Sequence, residues 1–166
     1  YFVRKNFSIA MPALEEELGI SKTRLGIFLT LNGIIYGISR FLNGIVSDRI
    51  GNKKLLMALG LFLSALVNIA IGFIPSVNGL FSVLDDSGKA TIGFIYLLGS
   101  LWMINGWLQG MGFPPCSSLM AYWIRPSELA TKQSIWNASH SIGAGLLALL
   151  IGAILGNYSN SAWQWC

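Results

Sequence analysis

Arg4, Lys5 and Arg40 stand in stretches otherwise almost free of charge, and the chemistry they offer is the gripping of an anion. The chain has seven acidic residues, Glu15, Glu16, Glu17, Asp48, Asp85, Asp86 and Glu128, and each falls in a connection or at the end of an apolar segment. None is placed to neutralise the three cations. An ionised side chain at the centre of a helix in lipid costs about 2.5 to 3.5 kcal/mol, so it needs a partner or a wet cavity. A ligand that brings its own negative charge meets that need. Arg4 is the sharper candidate, because the planar guanidinium fork matches phosphate oxygens; its alternative is a carboxylate elsewhere in a longer protein. Arg40 lies eight residues before Asp48, about 12 Å along a helix, so reaching back to the surface is its alternative. Tyr36 sits one turn earlier on the same face and brings a hydroxyl to the same anion.

His140, the single histidine, follows Trp136 by one turn and Asn137 by three residues. Packing against a neighbour and binding a ligand, or sensing its protonation, both remain open for it. No carboxylate lies mid-segment, which argues against a carboxylate proton relay and for exchange of one anion for another.

Two further patterns bear on movement. Gly44, Asp48, Arg49, Gly51, Lys53 and Lys54 join two apolar segments as G-x3-D-R-x-G-x-K-K. Glycines there allow a short turn, and an acid among bases makes contacts between helix ends that break and reform as helix bundles rock. In Trp107-Leu-Gln109-Gly110-Met-Gly112-Phe-Pro114-Pro115-Cys116, the double proline removes backbone donors inside an apolar run, so a helix kink is expected at Pro114 and Pro115. Interrupted helices are where transporters build sites at the membrane midplane.

The elements that carry these residues follow from composition. Hydrophobic residues make up 54% and charged residues 11% of the 166-residue chain, and the mean hydropathy is +0.61. A soluble fold would expose more charge, so an all-α membrane protein is expected. The 19 glycines fit closely approaching membrane helices. Crossing the hydrocarbon takes about 20 apolar residues, and residues 25–47, 55–74, 92–123 and 135–155 satisfy this. Residues 1–14 read as the outer end of a truncated first helix, and both chain ends read as cuts in a longer protein. Connections are expected at 15–24, 48–54, 75–90 and 125–132. The second and fourth hold five basic residues against three in the other two, which puts them in the cytoplasm and the region near Asn157 outside. Gly33-x-x-x-Gly37, Gly106-x-x-x-Gly110 and Gly152-x-x-x-Gly156 are candidate helix crossings.

Cys116 and Cys166 have no metal-ligand spacing, and no nucleophile and base stand at a useful separation. An enzyme, a metal, a cofactor and a nucleic-acid partner are therefore not expected.

Tyr1, Arg4-Lys5-Asn6-Phe7-Ser8, Ala10-Met11-Pro12, the loop from Gly44 to Lys54, Gly106-Trp107, Gln109 to Gly112, Pro114 to Cys116, and Ser134, Trp136-Asn137 and His140 together resemble the organophosphate:phosphate antiporters of the major facilitator superfamily. Within that family the resemblance points to the bacterial glycerol-3-phosphate transporters, with hexose-phosphate and phosphoglycerate carriers and a transporter-like hexose-phosphate sensor as siblings. It implies the major facilitator superfamily fold, twelve helices in two six-helix halves, of which residues 1–166 are a partial first half lacking its sixth helix. It implies exchange of a small organic phosphate for inorganic phosphate by alternating access across the bacterial cytoplasmic (inner) membrane. It implies that Arg4 binds substrate phosphate with a second arginine from the missing C-terminal half, and that Lys5, Tyr36, Arg40 and His140 line or neighbour that cavity; with Trp136 and Asn137 beside His140 they make up the candidate substrate-binding set. Similar transporters commonly carry lysine where this chain has Arg40, which keeps the charge and changes the donor geometry.

Overall fold

The computed structural model describes residues 2–74 and 90–157. Among them the regular elements are six helices: α1 Phe2–Leu18, α2 Lys22–Arg49, α3 Lys53–Phe73, α4 Ile92–Gly110, α5 Phe113–Trp123 and α6 Pro126–Asn157. The all-helical expectation holds. α2, α3 and α6 are each long and apolar enough to cross a membrane, while the segment expected as one span over 92–123 is divided between α4 and α5.

Several connections are shorter than expected. Glu15 and Glu16 belong to the last turn of α1, which stops at Gly19 rather than at residue 14. Gly19 has φ 62° and its N–H donates to the Glu15 carbonyl at 3.1 Å. That left-handed residue closes the helix by satisfying a carbonyl of the last turn, a conformation in which a side chain is costly. Lys22 and Arg24 already belong to α2, and Lys22 reaches back to Glu15 at 3.5 Å. At the far end only residues 124–125 separate α5 from α6, so Glu128 and Lys132 lie in a helix, where they pair at 2.7 Å. Residues 75–89, with Asp85, Asp86 and Lys89, lie outside the described residues.

α4 is the axis of the bundle. Phe28, Asn32 and Ser39 of α2 meet Gly99, Gly106 and Gly110 of α4 in ascending order, so the two helices run parallel. A Cβ on Gly99 would lie 2.6 Å from the Phe28 ring, one on Gly106 would enter the Asn32 side chain, and one on Gly110 would enter Ser39. On the other flank Ser64 of α3 faces Asn105, and a Cβ on Gly60 would lie 2.8 Å from the Leu108 carbonyl oxygen, so α3 is antiparallel to α4. The Gly106/Gly110 crossing expected from the sequence is therefore real. Gly33, Gly37 and Gly152 have nothing within 4 Å of a built Cβ, so no helix crosses closely at these three positions among the described residues.

The interface is polar at its centre. Ser39 Oγ donates to the Trp107 carbonyl at 2.5 Å, and Asn43 Nδ2 donates back to Ser39 Oγ at 3.0 Å. Across the α3–α4 contact, Asn105 Oδ1 accepts from Ser64 Oγ at 2.6 Å and Asn68 Nδ2 at 3.0 Å. Ser39, Ser64 and Asn105 are fully buried. In lipid such pairs hold helices together where hydrophobic burial gives no drive.

An apolar cluster of Leu14, Leu18, Ile20, Leu25, Phe28, Phe94, Leu98 and Trp102 seals the end where α1 turns into α2. The Ala90 N–H donates to the Leu18 carbonyl at 2.9 Å, fixing the start of α4 at that same end. The outer faces are apolar and exposed, as at Phe41, Phe62 and Leu149, which suits contact with lipid.

Candidate functional site

The break in the fourth segment creates the site. Met111 and Gly112 donate to the carbonyls three residues earlier, Leu108 and Gln109, both at 3.2 Å, tightening the end of α4. A new helix then starts at Phe113, with Pro114 and Pro115 in its first turn. The interruption lies at residues 111–112, just before Pro114 and Pro115, which have no N–H to bond the Gly110 and Met111 carbonyls one turn earlier. In a first turn their missing N–H groups remove no helical bond and their fixed φ favours the start. Pro114 also packs near α2, 3.9 Å from a Cβ built on Gly44.

α5 and α6 are antiparallel about the short turn at 124–125, so Phe113 and Trp136, each eleven positions from it, lie side by side. Their ring centroids are 5.1 Å apart. Trp136 meets the His140 ring edge-on at 5.1 Å. The Arg40 guanidinium carbon stands 3.5 Å over the Phe113 ring centroid, and 5.6 Å from the Tyr36 ring centroid. Tyr36, Arg40, Phe113, Trp136 and His140 thus form one run of stacked side chains drawn from α2, α5 and α6.

Four of the expected binding residues, Tyr36, Arg40, Trp136 and His140, are brought together in this way. Asn137 is exposed and stands outside the run. Arg4 and Lys5 belong to α1, which packs against α6, but their side chains lie outside the described residues. His140 Nδ1 lies 3.0 Å from the Trp136 carbonyl oxygen. A carbonyl cannot donate, so Nδ1 carries the proton in that contact. The same carbonyl accepts from Ser139 Oγ at 2.5 Å. Phe113, the residue that joins the set, was not singled out by sequence, since a phenylalanine in an apolar run carries no signal of its own. The break beside it did.

The described ion pairs, Lys22–Glu15, Lys53–Asp48 and Lys132–Glu128, all lie at helix ends. Arg40 pairs with no carboxylate among the described residues. It is half-buried, and its charge rests on aromatic faces instead.

In the loop from Gly44 to Lys54, Asp48 pairs with Lys53 at 3.7 Å across the turn. Asn52 caps α3 by accepting the Leu55 N–H at 3.1 Å. Arg49 and Lys54 are exposed. Gly51 lies in the short turn between α2 and α3 without a positive φ, whereas Gly44 lies inside α2 facing Pro114. Asn52, which the sequence reading passed over, supplies the local stop signal.

The family profile described as Major Facilitator Superfamily matches residues 1–166. The chain is 48% identical over 151 residues to the glycerol-3-phosphate transporter of Bacillus subtilis strain 168, covering 91% of this chain and 30% of that protein. It is 39% identical over 164 residues to a probable hexose phosphate transport protein of Chlamydia pneumoniae, covering 99% of this chain and 31% of the relative. It is also 31% identical over 158 residues to the membrane sensor protein UhpC of Escherichia coli K12, covering 95% and 32% respectively. The chain therefore spans about a third of the length of the curated relatives it matches. No solved structure gives a significant match.

Proposed function

Because the chain belongs to the major facilitator superfamily, we propose that the complete protein is a secondary active transporter exchanging a small organic phosphate, glycerol 3-phosphate, for inorganic phosphate by alternating access. The observation that carries this reading is the Arg40 stack: a cation inside the bundle whose neighbours are aromatic and which has no carboxylate partner among the described residues. Relatives named as glycerol-3-phosphate and hexose phosphate transporters support the choice of anion. No chemical change of the substrate is assigned to the protein.

In this reading residues 1–166 form most of the first six-helix half. α1 contributes Arg4 and Lys5, α2 contributes Tyr36 and Arg40, and α6 contributes Trp136, Asn137 and His140. The second half supplies another arginine. The α2–α3 and α5–α6 turns, with Arg49, Lys53, Lys54, Arg125 and Lys132, face the cytoplasm of a bacterium, and the protein sits in its cytoplasmic membrane. The Asp48 loop makes and breaks charge contacts as the halves rock.

The test is uptake of labelled glycerol 3-phosphate by the complete protein in vesicles loaded with inorganic phosphate. Uptake is expected to require internal phosphate and to be lost in Arg4→Ala; undiminished uptake by that variant would remove Arg4 from the site. The likeness to a membrane sensor favours a second reading, a receptor for a sugar phosphate. Ligand binding with no flux in the same vesicles would select it.

A further inference from the structure

Three facts about Arg40 meet at Phe113. The guanidinium carbon stands 3.5 Å over the ring centroid, so close that an edge-on group would drive a nitrogen into the ring, and the two planes must stack. It has no carboxylate partner among the described residues. The ring beneath it is itself fixed, by Trp136 at 5.1 Å with a 33° tilt on one side and by the start of α5, with its two prolines, in the backbone.

We propose that Phe113 is a positioning residue: its ring seats the Arg40 guanidinium so that the edge carrying the N–H groups faces a tetrahedral oxyanion. This rests on the reading of Arg40 as a substrate-binding residue and deepens it. All five guanidinium donors lie in the plane of the group, so a ring against one face uses none of them. Stacking therefore holds the charge, forbids the swing toward the surface that a free arginine would take, and leaves two parallel donors for two oxygens of one phosphate. An ammonium has no such plane. A lysine over the same ring would turn part of its donor set into the face, so arginine at 40 and a flat ring at 113 are a matched pair. The selected ligand class is one that offers two coplanar oxygens on a single centre, as inorganic phosphate and phosphate monoesters do.

The experiment uses the complete protein, purified and reconstituted, with labelled inorganic phosphate as the probe and glycerol 3-phosphate as competitor. Thermal unfolding of each variant checks that it folds. Phe113→Leu is expected to weaken phosphate binding roughly 5- to 30-fold, the range expected when a desolvated cation loses its ring face. Phe113→Trp keeps a face and is expected to stay within about threefold of the parent. In an Arg40→Lys background, Phe113→Leu is expected to change binding by less than about threefold, because the coupling belongs to the pair. Unchanged binding in Phe113→Leu, with binding lost in Arg40→Ala, would overturn the seat and leave the proposed function standing. Equal damage from Phe113→Leu in both backgrounds would mean that the ring only packs helices, and would also overturn it. Parent-like binding in Arg40→Ala would remove Arg40 from the site and take both readings with it.

Discussion

Gly110 sits where packing and the site join, and replacing it by alanine tests both. A Cβ there would lie 2.6 Å from Ser39 Cβ and 3.2 Å from the Arg40 backbone nitrogen, and it would enter the Ser39 hydroxyl. Real Cβ contacts are essentially never shorter than 3.0 Å and ordinary ones begin at 3.4 Å, so α4 must shift from α2 by several tenths of an ångström. Ser39 cannot rotate aside without releasing the Trp107 carbonyl, to which its hydroxyl donates. Overpacking of this kind costs about 1–3 kcal/mol. Phe113 follows three residues later, so the same shift opens its 3.5 Å contact with Arg40. We predict that Gly110→Ala lowers the unfolding free energy of the complete protein by about 1–3 kcal/mol and weakens phosphate binding about 2- to 10-fold. Adding Ser39→Gly makes room for the new methyl and is expected to recover most of the stability, less the one interhelical hydrogen bond, worth about 0.6 kcal/mol in lipid. Denaturant titration in detergent gives the first quantity and labelled phosphate the second. A Gly110→Ala protein as stable as its parent, or a double variant no better than the single, would refute the close approach of α2 and α4.

Asn105→Leu removes the acceptor shared by Ser64 and Asn68; at about 0.6 kcal/mol for each interhelical bond, a loss of about 1 kcal/mol is expected by the same titration, with a loss above about 4 contradicting the lipid estimate. Gly33→Ala and Gly37→Ala meet open space, so each is expected to change stability by less than about 0.5 kcal/mol, and a large loss in either would restore a crossing there. Asn52→Ala deletes the cap on the Leu55 N–H and is expected to cost about 1 kcal/mol in thermal unfolding, an effect that Asn52→Asp should largely avoid.

Helix existence was legible in the sequence because long apolar runs signal it, and Arg40 stood out as an arginine far from any acid. Boundaries were not. Glu15 and Glu16 look like a loop by polarity, yet a helix end tolerates charge at the membrane surface, and the stop is set by Gly19 and its left-handed backbone. The double proline marked the fourth segment as interrupted, but not that residues 111–112 would form the break and the prolines the first turn of α5. Gly106 and Gly110 meet another helix, where Asn32 and Ser39 fill the groove, whereas Gly33, Gly37 and Gly152 meet open space among the described residues. Spacing fixes a face, and its use depends on the neighbour. Phe113 shows the same limit: no local pattern reveals that it will lie between Arg40 and Trp136.

α4, against which α2 and α3 are seated, also carries a fully buried polar side chain. Asn105 stands at its contact with α3, where it accepts from Ser64 and Asn68. During synthesis, α2 and α3 emerge before it in chain order. Ser64, Asn68 and Ser39, the groups that answer its polar atoms and its backbone, are then already in place when it leaves the insertion machinery. Order of synthesis thereby becomes part of the fold's specification, and a chain rearranged to make α4 before α3 would send Asn105 into hydrocarbon with no acceptor or donor to meet it.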